Sequence, residues 1–184
     1  MPRTVIAHPP LPQPGALVPP IYARLLRMLL QHADVDGDRV LAAAGLDWAT
    51  LVTDDKRLGR ETIVRLAQGA MAATRRPWLG LDLGGSAPVS AHGALGYAVV
   101  TSRDLREALL TLARYGTTRN DAMAWTCVDT RDGMTLHAVE RTDLGAVRGF
   151  VTDTVLGAIL RMIETAVGQV PAGLRIELPL PVPA

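Results

Sequence analysis

Residues 92–115 read HGALGYAVVTSRDLREALLTLARY and decide the fold of the chain's centre. An apolar segment spaced by two glycines runs to Val100, and a polar stretch follows it. Thr101 and Asp104 fit a capping box, in which the threonine accepts from first-turn amides and the aspartate reaches back. Apolar residues then recur at spacings of three and four, which predicts an amphipathic helix ending near Tyr115. Its predicted inner face carries Leu105, Ala108, Leu109, Leu112 and Ala113.

Helical spacing also dominates the chain before this segment. The predicted helices span residues 21–33, 38–44, 47–52 and 59–74. Gly45 is placed to end the second of them in a left-handed conformation. Residues 1–19 are rich in proline, which removes backbone donors and restricts the preceding residue, so they predict an extended, flexible tail. Residues 78–91 predict a short helix followed by a loop.

The pattern changes to a period of two after residue 122. Met123, Trp125 and Cys127 alternate with smaller or polar residues, and Asp132-Gly133 supplies a turn into residues 135–140, which predicts an antiparallel hairpin. A long helix is expected over residues 146–167, and the alternation after it predicts a strand over residues 174–180. The residues expected to be buried on the long helix are Val151, Val155, Ala158, Ile159, Met162 and Ala166.

These elements predict an α+β fold. An N-terminal helical layer, about residues 20–78, precedes a mixed part, about 92–180, in which a small antiparallel sheet packs with a long helix. We interpret residues 20–184 as one domain that follows the tail. The thin predicted sheet and the abrupt proline-rich end lead us to expect a truncated chain, or a piece of a longer protein.

Composition narrows the function classes. The chain has 184 residues, a net charge of +1 and a balanced 19 basic and 18 acidic side chains, so no overall positive field attracts nucleic acid. One cysteine excludes an internal disulfide. The N-terminus lacks the apolar core of a secretory signal or a membrane span. We therefore expect a cytoplasmic protein without membrane contact.

None of the motifs that suggest a metal-binding, phosphate-binding or catalytic site has the residues and spacing that such a site requires. Residues 34–38 read DVDGD, but an EF-hand loop would place His32 and Ala43 at positions that require carboxylates, so we predict a turn leading to an aspartate cap. The glycine-rich residues 80–86 lack the P-loop lysine and are interpreted as a flexible crossing. The four histidines do not have metal-site spacing. Cys127 is expected to be a small core residue.

The sequence therefore predicts no catalytic residue, no metal site and no cofactor, and we expect the chain not to be an enzyme. A helix-turn-helix DNA reader within residues 21–76 is disfavoured. Asp54, Asp55 and Glu61 would place negative charges beside the negatively charged phosphates of the DNA backbone. The favoured alternative is that these helices form a layer packed on the sheet.

The central segment resembles the N-terminal regulatory, arabinose-binding-like domain of AraC-type bacterial transcription regulators. The shared pattern is a His-Gly pair, a Leu-Gly-Tyr-Ala run, two apolar residues, a small polar pair and a leucine-led helix ending in Arg-Tyr. These features occupy residues 92–93, 95–98, 99–100, 101–102, 105–112 and 114–115, and a preceding Leu-Gly-Leu-x-Leu-Gly occupies 79–84. In order and type of element, the resemblance extends over most of residues 20–180.

The resemblance implies a domain that senses a small-molecule effector and dimerises. It also implies that DNA is bound only by a C-terminal pair of helix-turn-helix motifs, which does not follow Ala184 in this sequence. Ligand binding would shift the dimer or interdomain arrangement and so change how those motifs address DNA. The effector is expected to be apolar or to bear a carboxylate.

Candidate site residues follow from this expectation. Cations near the end of the central helix favour its dipole and could hold a ligand carboxylate, while aromatic and apolar side chains of the hairpin and long helix could form a pocket. The predicted ligand-binding residues are Tyr97, Arg114, Tyr115, Arg119, Trp125, Phe150 and Met162. An exposed stripe of the long helix, with Val155 and Ile159, is the predicted homodimer interface.

Two alternatives stay open at this point. The chain could be a stand-alone small-molecule-binding or protein-interaction module without a DNA-linked role, which a longer reading frame with helix-turn-helix motifs would exclude. A small hydrolase or transferase would require His92 or His137 beside a carboxylate in a cleft.

Overall fold

The computed structural model describes residues 18–131, 133–169 and 171–178. Most of the predicted tail, residues 1–17, lies outside the described residues. Val18 forms an isolated antiparallel bridge with Leu58, with N···O distances of 3.0 and 2.8 Å. The helices are α1 Ile21–His32, α2 Gly37–Ala43, α3 Trp48–Thr53, α4 Arg60–Thr74, α5 Leu79–Ser86, α6 Gly93–Val100, α7 Leu105–Tyr115 and α8 Arg148–Val167, and strands β1 Met123–Thr130 and β2 Gly133–Glu140 lie between α7 and α8.

Aspartate caps begin two of the N-terminal helices, and this confirms the prediction for residues 34–38. The Asp36 carboxylate accepts from the Arg39 amide at 3.0 Å, and the Asp47 carboxylate accepts from the Thr50 amide at 2.9 Å. Each bond satisfies an amide that the first helical turn leaves free. Gly45 has a φ of 77° and follows α2, as predicted.

Helices α5 and α8 cross at very short range, because glycines line the contact. A Cβ atom on Gly84 would lie 2.0 Å from the Thr154 carbonyl oxygen, and one on Gly80 would lie 2.3 Å from the Phe150 carbonyl oxygen. The interpretation of residues 80–86 as a flexible crossing is therefore wrong. The glycines are not there for chain mobility; they allow two backbones to touch.

The start of α7 differs from the predicted capping box. Asp104 is the N-cap residue, and its carboxylate accepts from the Glu107 amide at 2.8 Å. Glu107 in turn accepts from the Arg103 amide at 2.7 Å. Thr101 belongs to the end of α6, where its hydroxyl donates to the Tyr97 carbonyl at 2.8 Å. The capping assignment of Thr101 is wrong because α6 occupies that residue first.

The predicted hairpin is confirmed, and with it the α+β class. β1 and β2 pair antiparallel from Met123↔Glu140 to Thr130↔Gly133. Met123, Trp125 and Cys127 point into the core, and β1 packs on α7. Cys127 is the buried core residue expected; its thiol donates to the Leu109 carbonyl at 3.2 Å, and burial raises its pKa to about 11.

The strand predicted over residues 174–180 is wrong for its described part. Residues 171–178 contain no strand, and Leu174, Ile176 and Leu178 are exposed. An alternating pattern forms a strand only where an edge accepts it. In the described residues, β1 and β2 pair with each other, and no third strand joins them. Leu180 lies outside the described residues.

The long helix is present, beginning at Arg148 after a short 3₁₀ turn and followed by Gly168 with a φ of 78°. Val151, Ala158 and Met162 are buried as predicted, whereas Val155, Ile159 and Ala166 are half-buried.

Candidate functional site

A cavity of about 120 Å³ lies between α1, α4, α7, α8 and β1. Its wall is mostly apolar, because each of these elements presents its hydrophobic stripe to the same interior. Leu26 of α1, Leu66 of α4, Leu112 of α7 and Met162 of α8 are examples. The cavity therefore borders the main core of the fold.

Three nitrogen atoms interrupt this apolar wall. His92 Nε2, Arg119 Nε and Trp125 Nε1 are buried and have no hydrogen-bond partner within the described part of the chain. His92 is 3% exposed and Trp125 is 5% exposed. All three residues line the cavity. Buried polar atoms normally find partners, and leaving one without costs roughly 1–3 kcal/mol, so three at one cavity mark it as a site.

The His92 ring is oriented from α1. Tyr22 Oη lies 2.9 Å from His92 Nδ1. Burial raises the pKa of Tyr22, against the opposing hydrogen bond and charge of Arg119, so the phenol keeps its proton. We assign that proton to a bond from Tyr22 to Nδ1, which leaves the hydrogen of the neutral ring on Nε2, on the cavity side. Burial, with the charge of Arg119, lowers the pKa of His92 to about 4.

Arg119 is held in place by backbone and aromatic contacts. Its Nη2 donates to the Ala91 carbonyl at 2.5 Å, and its guanidinium carbon lies 5.8 Å from the centre of the Tyr22 ring. Gly93 has a φ of 57° and leaves room for the guanidinium, since a Cβ there would lie 3.4 Å from Arg119 Nη1. Among the described residues, no ion pair includes Arg119.

Trp125 reaches the cavity because Gly116 follows α7. A Cβ on Gly116 would lie 2.8 Å from Trp125 Nε1, a separation that real Cβ atoms do not show. Two other polar side-chain atoms of the lining residues have partners: Thr154 Oγ1 donates to the Phe150 carbonyl at 2.8 Å, and Asn120 Oδ1 accepts from the Ala122 amide at 3.1 Å.

The predicted ligand-binding residues divide into two groups. Four of them line the cavity: Arg119, Trp125, Phe150 and Met162. The others lie outside it. Tyr97 is 56% exposed, Tyr115 is 45% exposed, and the exposed Arg114 stacks on Tyr115 with its guanidinium carbon 5.4 Å from the ring centre. Ligand contact by each of these residues stays a prediction, but only the first group shares a cavity.

Val155 and Ile159, predicted for a dimer interface, also line the cavity. Both are half-buried and pack against the core. Their role in a dimer interface stays a prediction. In the structure, both residues contact other residues of the same chain.

Two site residues were not singled out from the sequence as ligand contacts, His92 and Tyr22. The signal for His92 was the His-Gly pair at the start of the central segment. Tyr22 had no signal, because it lies on an ordinary amphipathic helix 70 residues before His92.

Residues 18–131, 133–169 and 171–178 contain no cluster of three or more His, Cys, Asp or Glu side chains that could hold a metal ion. None of the helices described is both long enough and apolar enough to cross a membrane.

Comparison with known proteins assigns the family. Residues 35–184 match the family described as the arabinose-binding domain of AraC transcription regulators, N-terminal. The chain belongs to this family. The AraC-type domain is also 31% identical over 175 residues to the ornithine utilization regulator of Pseudomonas aeruginosa. That match covers 95% of this chain and 52% of the relative, so the chain spans about half the relative's length.

Both matches are to transcription regulators rather than to enzymes. They confirm the resemblance inferred from residues 79–115 and support a regulatory N-terminal domain.

Proposed function

We propose that this AraC-type domain senses a small-molecule effector in the cavity between α1, α4, α7, α8 and β1. The observation that carries the proposal is the set of three unpartnered buried nitrogens on an otherwise apolar wall. The apolar side chains around these nitrogens offer them no acceptor, and a ligand that supplies acceptors would satisfy them. A core built only for stability would not retain them.

The regulatory step follows from where the cavity lies. Its wall joins the N-terminal helices to β1 and α8, so an occupant contacts both parts of the fold. A ligand that binds one arrangement of these elements more tightly shifts the population toward it. We propose that this shift alters DNA binding by helix-turn-helix motifs in a longer protein.

Homodimerisation is a second part of the proposal, and it is supported by the family resemblance alone, since Val155 and Ile159 line the cavity and pack against the core. Sedimentation velocity at several protein concentrations measures it directly. A mass that rises toward twice 19.6 kDa is expected, and a concentration-independent monomer contradicts it.

The relative's name refers to ornithine utilization, and we consider whether ornithine fits the cavity of this chain. Ornithine carries a side-chain ammonium, which needs a carboxylate or several neutral acceptors when buried. The residues that line the cavity include no Asp or Glu. We therefore do not transfer ornithine to this chain.

Native mass spectrometry before and after mild organic extraction tests the sensing site. We expect an extra mass that extraction removes. Ala67→Leu adds three carbon atoms to the lining of the cavity and should abolish that mass. Ala72→Leu is the matched control, since Ala72 is exposed on the same helix.

Two outcomes would contradict the proposal. One is equal occupancy in the two variants. The other is a wild-type chain that carries no extractable mass and whose melting temperature is unchanged by the small-molecule fraction of a cell extract, since binding to the folded state alone raises stability.

A further inference from the structure

The unpartnered groups of the cavity share one chemical character. Arg119 Nε and Trp125 Nε1 carry hydrogen and can only donate. With the tautomer assigned above, in which Tyr22 donates to Nδ1, His92 Nε2 donates as well. Because all three residues line the same cavity, the complementary ligand group is an acceptor with at least two or three lone pairs. A carboxylate, with two oxygens and about four acceptor sites, has this form.

The positive charge of Arg119 also favours a carboxylate as the ligand group. Arg119 brings a guanidinium cation to the cavity wall, and none of the residues that line the cavity is a carboxylate that could balance it. A half-buried cation without a counter-ion is unfavourable, and a ligand anion removes that cost while forming charge-assisted hydrogen bonds. One arginine balances one negative charge. A phosphate dianion would bring a second charge without a partner.

The rest of the cavity wall determines the polarity and size of the remainder of the ligand. It is built from aliphatic and aromatic side chains, including Leu26, Leu112, Phe150 and Met162. The cavity volume of about 120 Å³ is slightly smaller than the cavity of roughly 150 Å³ that holds benzene in an engineered protein. It therefore suits a compact ligand whose apolar body has at most about six carbon atoms and no polar groups.

We propose that the effector is a small monocarboxylate with an apolar body and no ammonium group, bound with its carboxylate at Arg119, Trp125 and His92. This inference rests on the proposed sensing function and narrows its ligand class. It separates the domain from receptors for amino acids and sugars, whose ammonium or hydroxyl groups would meet an apolar wall.

Three probes of equal length test the class: hexanoate, hexanamide and hexylamine. Isothermal titration calorimetry on the chain should show that hexanoate binds at least about tenfold more tightly than hexanamide, since the amide lacks the charge that Arg119 meets. Hexylamine should not bind. In parallel, the chain has three tryptophans, so a ¹⁵N spectrum should contain three indole N–H signals. Hexanoate should shift the signal that Trp125→Phe removes.

Arg119→Gln removes the charge and should reduce the hexanoate-to-hexanamide affinity ratio to near one. Arg65→Gln is the matched control, because Arg65 is exposed on α4 and does not line the cavity, and it should keep the wild-type ratio. Thermal unfolding establishes that both variants fold. If Arg119→Gln fails to fold, Trp125→Phe, which preserves an aromatic ring, should still weaken hexanoate binding while sparing the packing.

Equal binding of hexanoate and hexanamide overturns the inference, as does tighter binding of hexylamine. So does an unshifted Trp125 signal at saturating hexanoate. If an extractable compound without a carboxylate occupies the cavity and Ala67→Leu excludes it, the proposed sensing function stands and this inference fails. If Ala67→Leu leaves occupancy unchanged, the sensing site itself is wrong.

Discussion

Lowering the pH should destabilise this protein through the buried ring of His92. The folded-state pKa is lowered from 6.5 to about 4 by burial and by the charge of Arg119. In the unfolded chain, His92 therefore binds a proton as the pH falls below about 6.5. In the folded chain, the same ring binds a proton only near pH 4. The contribution of the neutral ring to the free energy of unfolding is fully present above the unfolded-state pKa. It decreases as the pH falls, and the decrease stops below the folded-state pKa.

The size of the effect follows from the two pKa values. The whole shift corresponds to about 3 kcal/mol of unfolding free energy. Between about pH 7.5 and pH 5, the wild type should lose about 2 kcal/mol from this group alone. Capping and ion-paired carboxylates, including Asp104 and Glu140, have lowered pKa values and add losses at lower pH.

Urea unfolding followed by circular dichroism at several pH values measures this slope. His92→Phe removes the titrating ring and should show a loss smaller by about 2 kcal/mol over the same interval, because carboxylate effects are common to both proteins. His137→Gln, on the exposed face of β2, is the control and should follow the wild type. Identical slopes for wild type and His92→Phe would refute the buried neutral histidine and its bond to Tyr22.

Three further predictions concern packing, capping and reactivity. Gly84→Ala should destabilise the fold by about 2 kcal/mol or more, because its Cβ would lie 2.0 Å from a backbone oxygen of α8, whereas Gly85→Ala on the same helix meets nothing and should be neutral or stabilising in thermal melts. Asp104→Ala should cost about 1 kcal/mol in urea unfolding, and a larger loss for Thr101→Ala would contradict the cap assignment. Cys127 should react with a thiol reagent only on unfolding, since burial raises its pKa to about 11; rapid labelling of the native chain would contradict that.

Local elements followed from local patterns. The helices over residues 21–33 and 59–74, the hairpin of β1 and β2 and the end of α8 before Gly168 depend on spacing, turn residues and caps within a few positions. They appear within a residue or two of the predictions. The likeness to AraC-type domains was also visible locally, since a short run of glycines and apolar residues carries it.

Errors arose where a pattern needed a distant partner. The alternation of Leu174, Ile176 and Leu178 predicted a strand, but a strand also needs an edge to pair with, and β1 and β2 use each other. The glycines of α5 resembled a flexible linker because their sequence does not show the backbone of α8 lying against them.

The sequence by itself determined the α+β class, most of the helices, the hairpin and the family, because each depends on short-range periodicity or a compact motif. Only the tertiary structure decided the site. Tyr22, His92, Arg119 and Trp125 come from four separate segments, and their hydrogen-bond deficits exist only when packing has removed water from all of them together. In the unfolded chain these polar side chains form hydrogen bonds with water. The fold buries them without replacing those bonds, and this makes them candidates to bind a ligand.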